Sequence, residues 1–129
     1  MKLYRLFFAI IFLLFSFNSF SQSEELDCKI LKNIKLQYFD VSNREDFILI
    51  NNNKHVEYHQ NGKYFIKSDL VWITDCEYNA ILTDFNLPNF PFTIGEKMNV
   101  RFYKIEKKVI YGIATIRNNS FEIKFKIVD

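Results

Sequence analysis

Along residues 66–82 apolar side chains recur at alternate positions. Ile66, Leu70, Trp72, Cys76, Tyr78, Ala80 and Leu82 share one parity, and Lys67, Asp69, Asp75, Glu77 and Asn79 occupy the other. A period of two is that of a strand with one wet and one dry face. Asp75, between Thr74 and Cys76, interrupts the run, so the pattern predicts two antiparallel strands that bend near Cys76. The same period marks a strand from Ile34 through Leu36 to Tyr38 and a final one carrying Phe121, Ile123, Phe125 and Ile127 against Glu122, Lys124 and Lys126. Between them lie a short apolar run at 47–50, a strand at 54–59, and strands at 98–105 and 109–117. Turns are expected at 40–46, 51–53, 106–108 and Asn118-Asn119. Residues 23–32 place Glu24, Glu25 and Asp27 ahead of Lys29 and Lys32, the charge order of a short helix burying Leu26 and Ile30, with Leu31 beside them.

Asn61-Gly62 is a strong hairpin signal, and it allows two registers. A two-residue loop pairs Tyr58 with Phe65 and sets Glu57 and His59 on the face of Tyr64, Ile66 and Trp72. A three-residue loop, residues 60–62 with Gly62 left-handed, pairs Tyr58 with Tyr64 and Val56 with Ile66. The second keeps apolar residues together and is the expected one. At the last hairpin, a two-residue Asn118-Asn119 loop would face Phe125 with Gly112 and Ile123 with Ala114, large against small. About eight short strands in a consecutive antiparallel meander predict an all-β, lipocalin-like barrel or half-barrel with a short N-terminal helix, a two-layer sandwich being the alternative.

Residues 1–21 change how the rest is read. Lys2 and Arg5 precede an unbroken apolar run at 6–15, and Ser19-Phe20-Ser21 has the small residues of a cleavage site, so this is expected to be a signal peptide cut before Gln22. The run is too short for a bilayer span, which needs roughly 20 residues, and no membrane span is expected after cleavage. Residues 22–129 then form a single β domain, exported to the periplasm or secreted. Of 17 basic side chains, Lys2 and Arg5 leave with the segment, so 15 face 15 acidic ones and the remaining chain is neutral. That removes the electrostatic footprint a nucleic-acid partner needs. Cys28 and Cys76, the only cysteines, would form a structural disulfide in an oxidising compartment.

No motif implies an enzyme, a cofactor or a metal. The three glycines are scattered and form no phosphate loop. His55, Glu57 and His59 invite a zinc reading, but on a strand His55 and His59 stand about 13 Å apart at roughly 3.3 Å per residue. They read instead as a solvated strand face, and the carboxylate pairs Glu24-Glu25 and Glu45-Asp46 as solvated helix and turn residues. The aromatics Tyr38, Tyr58, Tyr64, Trp72, Tyr78 and Phe102 could line a cavity for a small apolar ligand, or fill the core. The apolar loop with Phe85, Leu87, Phe90 and Phe92 either caps that core or binds a partner such as an envelope protein. The oligomeric state is not legible.

The order Cys28, Leu36-Gln37-Tyr38, Val56-Glu57-Tyr58, residues 63–68, Trp72 and Asp75-Cys76-Glu77-Tyr78 resembles a family of small exported Bacteroidota proteins of unknown function. That family's pattern runs from a cysteine through an aromatic first strand and a Glu-bearing strand to W-x-x-D-C-x-Y. The likeness covers nearly all of the chain after residue 21, and it implies a lipocalin-like β fold without specifying a chemistry. Some relatives carry a DNA topoisomerase IV label, for which a short, neutral chain with no nucleotide-binding motif offers no support. The expectation is a non-enzymatic binding module for a small apolar ligand or envelope component. A protein-interaction or inhibitor module acting through the 85–94 loop is the alternative, followed by an enzyme on the same scaffold.

Overall fold

The computed structural model describes residues 26–39 and 46–128. The proposed signal peptide and residues 40–45 lie outside these. Eight strands, β1 (Asn33–Tyr38), β2 (Phe47–Asn51), β3 (Lys54–His59), β4 (Tyr64–Thr74), β5 (Glu77–Phe85), β6 (Lys97–Glu106), β7 (Val109–Ile116) and β8 (Asn119–Val128), follow one another as an antiparallel meander. β8 returns to pair with β1, Leu36 opposite Ile127 and Tyr38 opposite Phe125, so the sheet closes into a barrel with no free edge. Residues 23–25 of the expected N-terminal helix lie outside the described residues, and the described part, 26–32, carries one 3-10 turn at Lys29–Lys32. Leu31 is its only buried residue and Ile30 is exposed, because one turn on a barrel end can bury a single side chain.

Tight turns of left-handed residues set the registers. Lys107 and Lys108 have φ of 50° and 61°, and Arg117 and Asn118 have 49° and 63°. Two successive positive φ values give the turn whose twist matches a strand pair. The last turn is therefore Arg117-Asn118, one residue earlier than expected. Ile110 faces Phe125, Gly112 faces Ile123 and Ala114 faces Phe121, a shift of two positions in pairing that leaves the inward face unchanged. The space at Gly112 is filled from β6 instead: a Cβ there would lie 2.8 Å from both the Arg101 carbonyl oxygen and the Phe102 ring.

The β3–β4 register is a larger correction. His59 pairs with Tyr64, Tyr58 with Phe65, Glu57 with Ile66 and His55 with Ser68. This is the register of the shorter loop, closed by Gln60, Asn61 and Gly62, all at positive φ, with the Lys63 amide donating to the Gln60 carbonyl at 3.2 Å. The inward face of β4 is the expected one, Ile66, Leu70 and Trp72 together with Ser68. β3 is thereby inverted relative to the sequence pattern. Val56 and Tyr58 turn outward, where Tyr58 packs on Phe47 at 5.1 Å and Lys35 lies 4.6 Å over Phe47. His55, Glu57 and His59 turn inward.

One end of the barrel holds the 3-10 turn and the turns at 52–53, 75–76 and 107–108. It is packed solid: Leu31, Ile50, Leu70, Phe102 and Ile110 are all buried. Trp72 packs on Tyr78 at 5.1 Å and donates its indole N–H to the Asn52 carbonyl at 3.0 Å. Cys28 and Cys76 are joined across this end, their Cα atoms 5.1 Å apart, fastening the 3-10 turn to the β4–β5 turn. The other end carries loop 86–96 and the turns at 60–63 and 117–118.

Candidate functional site

Between these ends the barrel holds a partly open cavity of about 210 Å³. Leu36, Ile48, Ile66, Ala80, Leu82, Val100, Ala114, Ile123 and Phe125 give it apolar walls, since inward positions alternate along every strand. Ala80 and Ala114 leave the room: each stands where a larger side chain would close the interior, and both are buried. Loop 86–96 covers the mouth. Phe90 and Phe92 reach into the cavity lining, with Phe90 4.9 Å from Phe85 and 5.4 Å from Phe92. The loop is held by the Gly95 amide on the Leu82 carbonyl at 2.8 Å and by Arg117, which donates to Glu96 through Nε and, at 2.8 Å, through Nη2. Arg117 also lies 5.0 Å over Phe92 and holds the Glu96 carboxyl below the usual carboxylate range.

The inverted strand β3 supplies the one polar wall. His55 and Glu57 line the cavity, and Ser68 stands opposite His55 on β4. Tyr38 donates its hydroxyl to Glu57 Oε1. His59 lies between two carboxylates, with Nδ1 3.1 Å from Asp46 Oδ2 and Nε2 3.3 Å from Glu57 Oε1, the latter an ion-pair contact rather than an aligned hydrogen bond. Asp46 also accepts from the Gln60 amide at 2.9 Å, which fixes the 60–63 turn against β2. The reading of 55–59 and of Asp46 as solvated is thus corrected: His55 is 8% exposed and the side chains of His59, Asp46 and Glu57 are 20%, 16% and 13% exposed.

Burial acts differently on each member of this group. It raises the Glu57 pKa on its own, but contacts from His59 and Tyr38 and the charge of His59 outweigh it, and the net shift is downward. Contact with Glu57, aided by Asp46, outweighs burial at His59 and raises its pKa. His55 is lowered because desolvation dominates, with Glu57 opposing only in part. Tyr38 and Tyr78 are pushed upward by burial and then by the Glu57 charge, so both stay protonated. The wall therefore presents a carboxylate, a neutral imidazole and hydroxyls.

No family model, curated protein or solved structure matches this chain. Its chemistry is read from its own side chains.

Of the aromatics singled out in the sequence, Tyr38 and Tyr78 line the cavity. Trp72 and Phe102 lie behind Tyr78, Phe102 at 6.2 Å, and form the dry floor. Tyr64 is half-buried at the start of β4 under Lys63, and Tyr58 faces outward. Of the loop residues, Phe90 and Phe92 turn inward, Phe85 backs Phe90, and Leu87 is half-buried outside the lining. Sequence reasoning missed His55, Glu57, Ser68 and Asp46. The signal was present: Asn61-Gly62 as a two-residue hairpin turn places the His-x-Glu-x-His parity on the face of Ile66 and Trp72. Among the described residues no three His, Cys, Asp or Glu side chains form a metal-binding group.

Proposed function

We propose that this protein binds a small, mainly apolar molecule inside its barrel, as an exported, non-enzymatic carrier or sensor. The observation that carries this reading is an apolar cavity with a single polar wall, left between a packed floor and an aromatic lid. Its size, about 210 Å³, is below the roughly 300–1,000 Å³ of drug-sized sites, so the fitting ligand is small. The disulfide, and the lack among the described residues of any helix long and apolar enough to cross a membrane, are consistent with export.

The titratable groups favour binding over catalysis. Both nitrogens of His59 face carboxylates, Glu57 is a weakened base and the tyrosines are weakened acids, so few groups here are matched to proton transfer near neutral pH. The loop-mediated partner reading is less favoured, because Phe90 and Phe92 are spent on the cavity rather than offered to solvent.

Octanol, a neutral ligand with an apolar body, tests the reading by calorimetry and thermal unfolding. Binding to the folded state alone stabilises by RT ln(1 + [L]/Kd), so the melting temperature should climb with octanol concentration. The sole tryptophan, Trp72, packs behind the lining residue Tyr78 and should report occupancy by a fluorescence change. No heat, no thermal shift and no Trp72 response up to the solubility limit would refute the proposal.

A further inference from the structure

The polar wall also bears on which head group the ligand carries, an inference that rests on the binding reading above. Tyr38 and His59 both approach Oε1 of Glu57, and among the described residues nothing is bonded to Oε2. Oε2 is thus the carboxylate oxygen left for a ligand. His55, 8% exposed, lines the cavity; its Nδ1 is buried away from that space with no hydrogen-bond partner, which leaves Nε2 as the ring nitrogen a ligand can reach. An imidazole kept neutral by burial has one acceptor nitrogen. Ser68, also buried and directly across from His55, adds a hydroxyl. Three acceptors thus share one wall: a carboxylate oxygen, an imidazole nitrogen and a serine oxygen.

The charge of the wall has a sign. Asp46 and Glu57 are set against His59, so even with His59 protonated the described residues leave one uncompensated negative charge, and the rim pair Glu96–Arg117 cancels itself. A carboxylate ligand would meet Glu57 head-on in a water-poor site, where like charges repel strongly. A primary ammonium offers three N–H donors and one positive charge, which answers both the count of acceptors and the charge left over. The apolar walls then hold the rest of the molecule.

We propose that the cavity selects a small apolar primary amine, with its ammonium on Glu57 Oε2, Ser68 and His55 and its hydrocarbon body against Leu36, Ala80 and Ala114.

The test is a head-group series of equal chain length, octylamine, octanol and octanoate, titrated calorimetrically at neutral pH into the wild-type protein. Octylamine should bind roughly tenfold or more tighter than octanol, because a hydrogen bond between charged partners is about twice as strong as a neutral one. Octanoate should be weakest. In Glu57→Gln, which keeps the side-chain shape and the Oε1 acceptor, octylamine should lose far more affinity than octanol, so the ratio collapses towards one. Should that variant fail to fold by circular dichroism, Ser68→Ala must narrow the same ratio.

Octanol binding as tightly as octylamine, octanoate binding best, or a ratio unmoved by these substitutions would overturn the amine assignment while the apolar-cavity reading stands. If none of the three binds, the binding reading itself fails.

Discussion

Ala114→Leu separates a cavity from a filled interior by the sign of its effect. Ala114 is 1% exposed on β7, between Val100 of β6 and Phe121 of β8, and it faces the open volume. Leucine adds three carbons, and at about 0.8 kcal/mol per buried CH₂ their transfer contributes about 2.4 kcal/mol. Fixing the longer side chain costs about 0.5–1 kcal/mol of rotamer freedom, leaving a net gain near 1.5 kcal/mol. In a close-packed interior the same change would cost about 1–3 kcal/mol by overpacking. Urea unfolding reads the difference directly: the midpoint should rise at unchanged slope, and octanol binding should weaken because the leucine takes the ligand's place. A midpoint lowered by the equivalent of 1 kcal/mol or more would mean that the space beside Ala114 does not exist, and with it the proposed binding mode.

Removing the disulfide by Cys28→Ser with Cys76→Ser should cost about 4 kcal/mol, since the bridge closes 48 residues of chain and the loss scales with the logarithm of that length; a cost under about 1 kcal/mol in urea would show that the unfolded chain is little restrained by it. The pH dependence follows from the two histidines of β3, which act oppositely. The raised pKa of His59 gives stability that is fully present below pH 6.5 and is lost as pH rises through its folded value, while the lowered pKa of His55 gives stability present above pH 6.5 and lost as pH falls towards its folded value. The urea midpoint should therefore peak near pH 6.5, His59→Gln flattening the alkaline limb and His55→Gln the acid limb, and a profile running monotonically through that pH would contradict the assignment.

Most of the fold was legible because, Ser68 of β4 aside, every strand but β3 obeys one rule, apolar side chains inward, and the turns between them are marked by Asn, Gly, Lys and Asp. Even the misplaced Asn118-Asn119 turn did little harm, since an error of two positions in pairing preserves the face that packs. The β3–β4 hairpin shows where such reasoning fails. Alternation fixes which residues share a face but not which face is inside, and in 55–59 the apolar set is only Val56 and Tyr58. Two apolar side chains are a weak driving force when an outer neighbour such as Phe47 can cover one of them. The polar set had tertiary partners, Tyr38 and Asp46, from β1 and from the edge of β2, and no local pattern carries information about those. The closed end of the barrel needed no such knowledge, and Leu31, Trp72 and Phe102 sit where an apolar rule puts them. A cavity was expected only as the alternative to a filled core, and of its expected lining Tyr38 and Tyr78 take part; its place was not legible, because it depends on two alanines and a loop meeting across the barrel.

The inverted strand carries a cost that the fold alone does not explain. A buried cluster of charged and polar groups stabilises no more than well-packed apolar residues of the same volume, and often less. Here it is not even complete: an unsatisfied buried polar atom such as His55 Nδ1 costs about 1–3 kcal/mol. The other strands show that this chain has the apolar residues to fill an interior, and the floor around Ile110 and Leu70 is filled. A rule broken throughout β3 and once more at Ser68 of β4, along the wall facing the open volume, is the pattern expected where function rather than stability chose the side chains. The acceptor surplus at His55, Glu57 and Ser68 then becomes an incomplete hydrogen-bond network whose missing donor arrives with the ligand. On that account filling the cavity should relieve the cost, and the protein should be most stable when occupied by a molecule that brings the donor with it.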